Sequence, residues 1–306
     1  MAIHKFSQTL VILTLLLLFI GGLVTSTGSG LAVPDWPLSY GSLTPPMIGG
    51  IRFEHTHRVV AATVGLLTLI LTVWIGFTEK RPSVRWLSIG ALAAVVLQGI
   101  LGAMTVLYRL PAPVSITHAC LGPTFFAMTA CLMELLHFPH PSLSPKGRGG
   151  ENNLFPSPPE GERVGVRGEI TDLAGDFPSM SQALALLVFF QILLGAVVRH
   201  TGEFVSYHVL TAIFVCMLSG VLVAKSMNHF SGEPRIFRPA LFLGLLVTAE
   251  FFLGIGAFVF TRIEGIQAAT ARIIFPTLHQ TLGALILAVT AVLALRSCVQ
   301  TEAKVE

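Results

Sequence analysis

The chain has 306 residues, of which 53% are hydrophobic and only 11% charged, and its net charge is +3. A soluble domain carries about 25% charged residues, so this composition excludes an ordinary soluble enzyme, and the small, scattered positive charge leaves no footprint for nucleic acid. The four cysteines (Cys120, Cys131, Cys216, Cys298) all lie in apolar stretches without CxxC or CxxCH spacing, which gives no sign of a zinc site, covalent haem attachment or a disulfide framework.

Crossing the hydrocarbon core of a bilayer takes about 20 helical residues. Eight apolar runs are of that order, at 8–27, 54–77, 84–108, 113–137, 181–199, 205–225, 238–261 and 273–297. The expected fold is all-α: a polytopic membrane protein whose partner is the lipid bilayer. The first run follows Lys5 as a signal peptide would. It is longer than a signal-peptide core, however, and its ending recurs at the end of the fifth run, so a retained helix is expected.

The first outer connection, residues 28–52, has few charges and holds Val33-Pro34-Asp35-Trp36-Pro37. It reads either as an interfacial aromatic anchor or as a cover over a site. Residues 138–180 are rich in Pro, Gly, Ser and charge, the composition of a disordered linker. They divide the chain into an N-terminal half (1–137) and a C-terminal half (181–306). With the N-terminus inside, 13 of the 19 Lys and Arg lie at the inner side, and that bias sets the expected orientation, with both termini cytoplasmic.

The two halves repeat one another. Gly21-Gly22-Leu23-Val24-Thr25-Ser26-Thr27-Gly28 is echoed by Gly195-Ala196-Val197-Val198-Arg199-His200-Thr201-Gly202, and Thr117-His118-Ala119-Cys120-Leu121-Gly122 by Leu278-His279-Gln280-Thr281-Leu282-Gly283. Each half holds four helices, an even number, so the expected arrangement is two tandem four-helix bundles related by a pseudo-twofold axis along the membrane normal.

Four histidines, His57, His118, His208 and His279, stand near the starts of the even-numbered runs. At 1.5 Å per residue they lie roughly 5–9 Å deep. Ionisable side chains inside a bilayer are costly and read as functional by default. An isolated intramembrane histidine can be an interhelical hydrogen-bonding residue. Two pairs at one depth point instead to metal ligands, and in a membrane bundle to haem iron, for which neutral imidazole is an axial ligand. Beside them, Glu54 shares a helix face with His57, and could orient that imidazole, serve as a base, or simply favour the helix start. Arg58, Arg199 and Arg272, with Arg52, Arg109 and Arg262, lie at the outer face where haem propionates would emerge. Gln98 and Gln191 read as packing positions beside small residues, and Glu250 is a buried acid without an evident partner.

These residues resemble the heme A synthase family. The resemblance rests on Gly21-Gly22-Leu23-Val24-Thr25, Thr27-Gly28-Ser29-Gly30, Glu54-x-x-His57-Arg58 and the three later histidines. It covers nearly the whole chain outside 138–180. It implies an inner-membrane oxidoreductase that oxidises a ring methyl of heme O to a formyl group through successive hydroxylations. By the same resemblance His208 and His279 hold a permanent haem b, His57 and His118 hold the substrate haem, and Glu54 is needed for activity. The heme O-producing farnesyltransferase and an unidentified electron acceptor are the implied partners. One departure stands out: many bacterial members have a cysteine pair in the first outer loop, and residues 28–52 have none. The rival readings are a diheme b-type electron-transfer protein, and a transporter built from repeats, against which the single depth of the histidines argues.

Overall fold

A computed structural model describes the backbone of residues 2–137, 163–266 and 268–305, and the side chains of 2–137, 176–266 and 268–298. Its helices are α1 (Ala2–Ser26), α2 (Ile51–Thr78), α3 (Pro82–Leu107), α4 (Ala112–His137), α5 (Arg163–Thr201), α6 (Val205–His229), α7 (Pro234–Arg262) and α8 (Ala269–Val305). All eight are long and apolar enough to cross a membrane. Among the described residues the only β-pairing is an isolated bridge between Ser39 and Ser42. The protein is an all-α, multi-pass membrane protein.

Most helices begin a few residues before the apolar run that announces them. Hydropathy registers where lipid tails begin, whereas the backbone stays helical into the interface because a helix satisfies its own N–H and C=O groups. The fifth helix departs furthest from expectation. Residues 163–180, expected to belong to a disordered linker, are helical, and Phe177 and Ser181 are fully buried. Phe177 stacks on Phe230 with ring centres 4.8 Å apart, an apolar anchor within a segment of otherwise polar composition. The rest of the expected linker, 138–162, lies outside the described residues.

Within the first half α1 packs on α2, α2 on α3, α3 on α4 and α4 on α1; the second half repeats that ring with α5, α6, α7 and α8. The halves meet through α1 on α8, α4 on α8 and α4 on α5. One apolar core gathers Leu10, Val64, Leu71, Ile75, Phe125 and Leu132 within the first half. The other fills the second half and takes in Phe126, Ala127 and Ala130 of α4. Helix α4 therefore serves both cores. At the end of the bundle away from the histidines, buried Glu134 of α4 receives both Nε (2.6 Å) and Nη2 (2.7 Å) of Arg296 of α8. Arg296 Nη1 also donates to the Arg235 carbonyl at 3.0 Å. This fork binds the two halves together where a carboxylate and a guanidinium match in shape.

Candidate functional site

Each of the four histidines rests against a glycine of the helix before it. A Cβ added to Gly21 would come within 3.1 Å of His57 Cε1, and one on Gly102 within 3.4 Å of His118 Cε1. In the second half a Cβ on Gly195 would come within 3.0 Å of His208 Cε1, and one on Gly254 within 3.1 Å of His279 Cε1. The imidazole edge thus occupies the volume a side chain would need, so at these positions the missing Cβ is a structural requirement.

In three of the four helices the residue four before the glycine addresses the same histidine. Gln98 Nε2 donates to the His118 carbonyl (2.9 Å) and Gln191 Nε2 to the His208 carbonyl (3.0 Å). These amides are hydrogen-bonding residues, a correction to their reading as packing positions. Glu250 occupies the matching place in α7 and its Oε1 stands 3.0 Å from His279 Nδ1. In the first helix that place holds Leu17, whose side chain has no polar group to offer. Gly122 and Gly283, the last residues of the repeated histidine phrases, make room for the Gln98 amide and the Glu250 carboxyl, with hypothetical Cβ contacts of 3.2 and 3.0 Å. The repeats legible in the sequence are therefore the parts of one cradle, used twice in each half.

The other repeated phrase also ends on a structural need. Gly28 and Gly202, which follow α1 and α5, have φ of +66° and +83°. The left-handed conformation closes each helix before the chain turns toward the next histidine-bearing helix.

His208 and His279 face each other with ring centres 6.1 Å apart and planes 86° apart. His57 and His118 stand on α2 and α4 of the first half, each against its own cradle glycine. The Nδ1 atoms of His57, His118 and His208 are buried without a hydrogen-bond partner, and His279 Nδ1 lies within ion-pair distance of Glu250 but off the hydrogen-bonding direction. Helix register differs among them: His57 and His118 are the seventh residues of their helices, His208 the fourth and His279 the eleventh. The extra turn at the start of α8 is Ala269-Thr270-Ala271-Arg272, too polar to register as part of an apolar run.

Glu54 is buried, yet its carboxylate does not reach an imidazole. Oε1 receives Arg58 Nη2 at 2.5 Å and Oε2 receives the Val33 N–H at 2.8 Å. Arg58 turns to the outer loop as well: Nη1 donates to the Asp35 and Leu38 carbonyls and Nη2 to the Val33 carbonyl. His55 bonds Ser39 through Nδ1 at 2.9 Å. The loop is folded in its own right. Val33 is fully buried, and the Asp35 carboxylate accepts the N–H groups of Tyr40 and Gly41 at 2.7 Å each. Those two bonds hold the Asp35 carboxyl below its usual range. The Glu-x-x-His-Arg motif thus anchors the loop on the end of α2 that carries His57.

Of the remaining outer arginines, Arg199 is the one drawn inside. Its Nη2 donates to Ser26 Oγ (2.8 Å), which also receives Thr277 Oγ1 (2.9 Å), so helices of both halves meet there. Its Nε is buried without a partner. Arg272 is exposed and donates to the Ile266 carbonyl. Arg262 donates to the Val198 carbonyl, and Arg52 lies over the Phe53 ring. Neither Arg58 nor Arg272 joins the histidines.

The family described as cytochrome oxidase assembly protein (COX15-CtaA) matches residues 51–211. The chain belongs to this family. A heme A synthase of Symbiobacterium thermophilum is 32% identical over 186 residues, 60% of this chain and 54% of that protein. One from Shouchella clausii is 33% identical over 141 residues, 43% of this chain and 46% of that protein. One from Alkalihalophilus pseudofirmus is 38% identical over 98 residues, 31% and 33% respectively. The chain spans about half the length, or less, of these relatives. The match to the family takes in Glu54, His57, Arg58, His118, Arg199 and His208; Arg272 and His279 lie beyond it.

Among the described residues no three His, Cys, Asp or Glu converge on a point that could hold a bare metal ion. Two opposed imidazoles suit a metal whose other ligands arrive with it, as the iron of a haem does. A metal held between two ring nitrogens at about 2 Å each sets the ring centres roughly 6 Å apart, which the His208–His279 pair meets. The residues present fit a haem.

Proposed function

We propose that the protein is a heme A synthase of the inner membrane, which oxidises a ring methyl of heme O, its substrate, to a formyl group. The observation that carries this reading is the repeated glycine–histidine cradle, present twice in each half, within a chain of this family. The halves, 1–137 and 181–306, then act as two bundles related by a pseudo-twofold axis, with both termini cytoplasmic and the histidines toward the outer face. His208 and His279 would hold a resident haem b, which when bound supplies one-electron redox chemistry. His57 and His118 would hold the heme O substrate.

The chain's own residues divide the remaining work. Gly21, Gly102, Gly195 and Gly254 let the helices close on the imidazoles. Gln98 and Gln191 fix the backbone of two of the histidine-bearing turns. Arg199, half satisfied and set between the halves, is the guanidinium best placed to meet a propionate. Arg58 and Arg272 are weaker candidates, because their N–H groups already serve loop carbonyls. Glu54 holds the outer loop against α2 beside the substrate position and is the carboxylate nearest in sequence to the ligating His57. The farnesyltransferase that makes heme O and an electron acceptor remain the proposed partners.

The test is chromatography of haems extracted from the purified protein and from membranes of cells that supply heme O. Heme A formed only when the protein is present is the expected result. Haem b alone, with no heme O or A, would replace this reading by a diheme electron-transfer protein. His208→Ala or His279→Ala is expected to abolish stable haem b, since the iron would lose one of the two imidazoles proposed to hold it. An unchanged low-spin spectrum in both variants would remove the pair from the ligand set.

A further inference from the structure

We propose that Glu250 makes the second-half iron site electronically unlike the first, as the hydrogen-bond acceptor of the His279 imidazole. The proposal rests on the haem ligation by His279 put forward above.

The argument starts from one register position. Four residues before the cradle glycine the chain has Leu17, Gln98, Gln191 and Glu250 in helices α1, α3, α5 and α7. The two glutamines use their amide N–H to donate to the backbone carbonyl of the neighbouring histidine. Glu250 has no amide N–H with which to repeat that bond. Its carboxyl instead meets the ring: Oε1 lies 3.0 Å from His279 Nδ1. Neither His279 Nδ1 nor Glu250 Oε2 has a hydrogen-bond partner elsewhere. Gly283 leaves the space in which Oε1 sits.

Consequences follow from the chemistry of imidazole. An acceptor on Nδ1 fixes the tautomer that presents the Nε2 lone pair to a metal, and a carboxylate there raises the basicity of that ligand. A more basic axial ligand favours the oxidised iron, so the second-half haem should be held in a lower potential range than it would be without Glu250. The other three histidines have no acidic residue at the matching position. The site with the carboxylate is the one proposed to keep its haem.

The experiment uses the full-length holoprotein and the variant Glu250→Gln. Measurements are haem content, the midpoint potential of the second-half haem by optical redox titration, and the electron paramagnetic resonance of its ferric form. The expected result is retention of haem b with a midpoint shifted to more positive potential and altered g-values. Gly283→Ala provides an independent route, because its methyl would meet Oε1 and push the carboxyl off His279 while leaving the acid in place; the same direction of shift is expected. Haem b present with potential and g-values equal to the parent in either variant overturns the role of Glu250. Absence of haem b from the parent protein would instead overturn the haem reading on which the proposal rests, and the two failures are thereby distinguished.

Discussion

At the scale of the residue, the Glu54–Arg58 pair has the most specific consequences. Glu54→Gln keeps the shape but turns one of two acceptor atoms into a donor that faces the Val33 N–H or the Arg58 guanidinium. Losing a bond to a charged group costs about 1.5–3 kcal/mol, and it falls on the attachment of the outer loop. The expected outcome is faster proteolysis within residues 28–50, unchanged haem b in the second half and loss of heme O conversion. Arg58→Gln separates the two roles of Glu54. If Glu54 acts only through the loop, Arg58→Gln should lose conversion and loop protection in the same proportion; if the carboxylate also serves as a base, Glu54→Gln should lose more conversion at equal loop protection. The sequence announced Glu54, His57 and Arg58 as a cluster, because charged residues at the start of an apolar run are conspicuous. It did not announce that both charges face the loop, since the contacts of Val33, Asp35 and Leu38 with α2 span 20 to 23 positions of chain. Glu250 was visible as a buried acid, but its partner lies on another helix, 29 positions away, and no helical periodicity links the two.

At the scale of the element, each even-numbered helix depends on a glycine of the helix before it. Gly195→Val would drive a branched side chain into His208, an overpacking that costs about 1–3 kcal/mol in a filled core. The expected result is loss of haem b from the second half with the first-half site intact, and Gly21→Val should do the reverse; haem stoichiometry by absorption of the pyridine complex reads both. The turn between α2 and α3 is held by Glu79, whose carboxyl takes Arg81 Nη2 at 2.6 Å, while Arg81 also donates to the Leu135 carbonyl of α4. That guanidinium holds the Glu79 carboxyl down to about 2. Because the folded-state value is depressed, the stabilisation is present at neutral pH and is lost as pH falls from the ordinary carboxylate range toward 2. Glu79→Gln should therefore lower thermal stability slightly at pH 7, by up to about 1 kcal/mol, with the gap to the parent closing as the pH approaches 2. The apolar runs disclosed all eight helices, since a span of lipid can be filled only by a continuous hydrophobic helix. Their ends were less legible. Within α5, Phe177 is buried against Phe230 of the α6–α7 connection, a contact that no local composition reveals.

At the scale of the whole molecule, the two halves are joined by helix faces and by the buried Glu134–Arg296 fork. Glu134→Ala would take the two-pronged carboxylate from the half-buried Arg296, a loss of about 1.5–3 kcal/mol, and should lower the thermal transition of the purified protein. Since docking runs through α1, α4, α5 and α8, deleting residues 140–160 is expected to preserve haem content; a deletion protein that inserts but holds no haem would show that the segment is needed. The duplication was legible because its phrases are short and rich in glycine and histidine. The sharing of α4 between the two cores was not, since its apolar residues look alike on every face. One difference between the halves bears on time rather than energy. From the end of α1 to the start of α2 the chain runs from Ser26 to Ile51, whereas α5 and α6 are separated only by Gly202, Glu203 and Phe204. On the proposed reading, an occupant of the first half would lie beside a fastened flap that opens by releasing a few hydrogen bonds, a motion of the kind that takes microseconds to milliseconds. An occupant of the second half would lie beside a three-residue connection between α5 and α6 with no comparable flap. The two halves would then differ in residence time, the first exchanging its guest faster than the second.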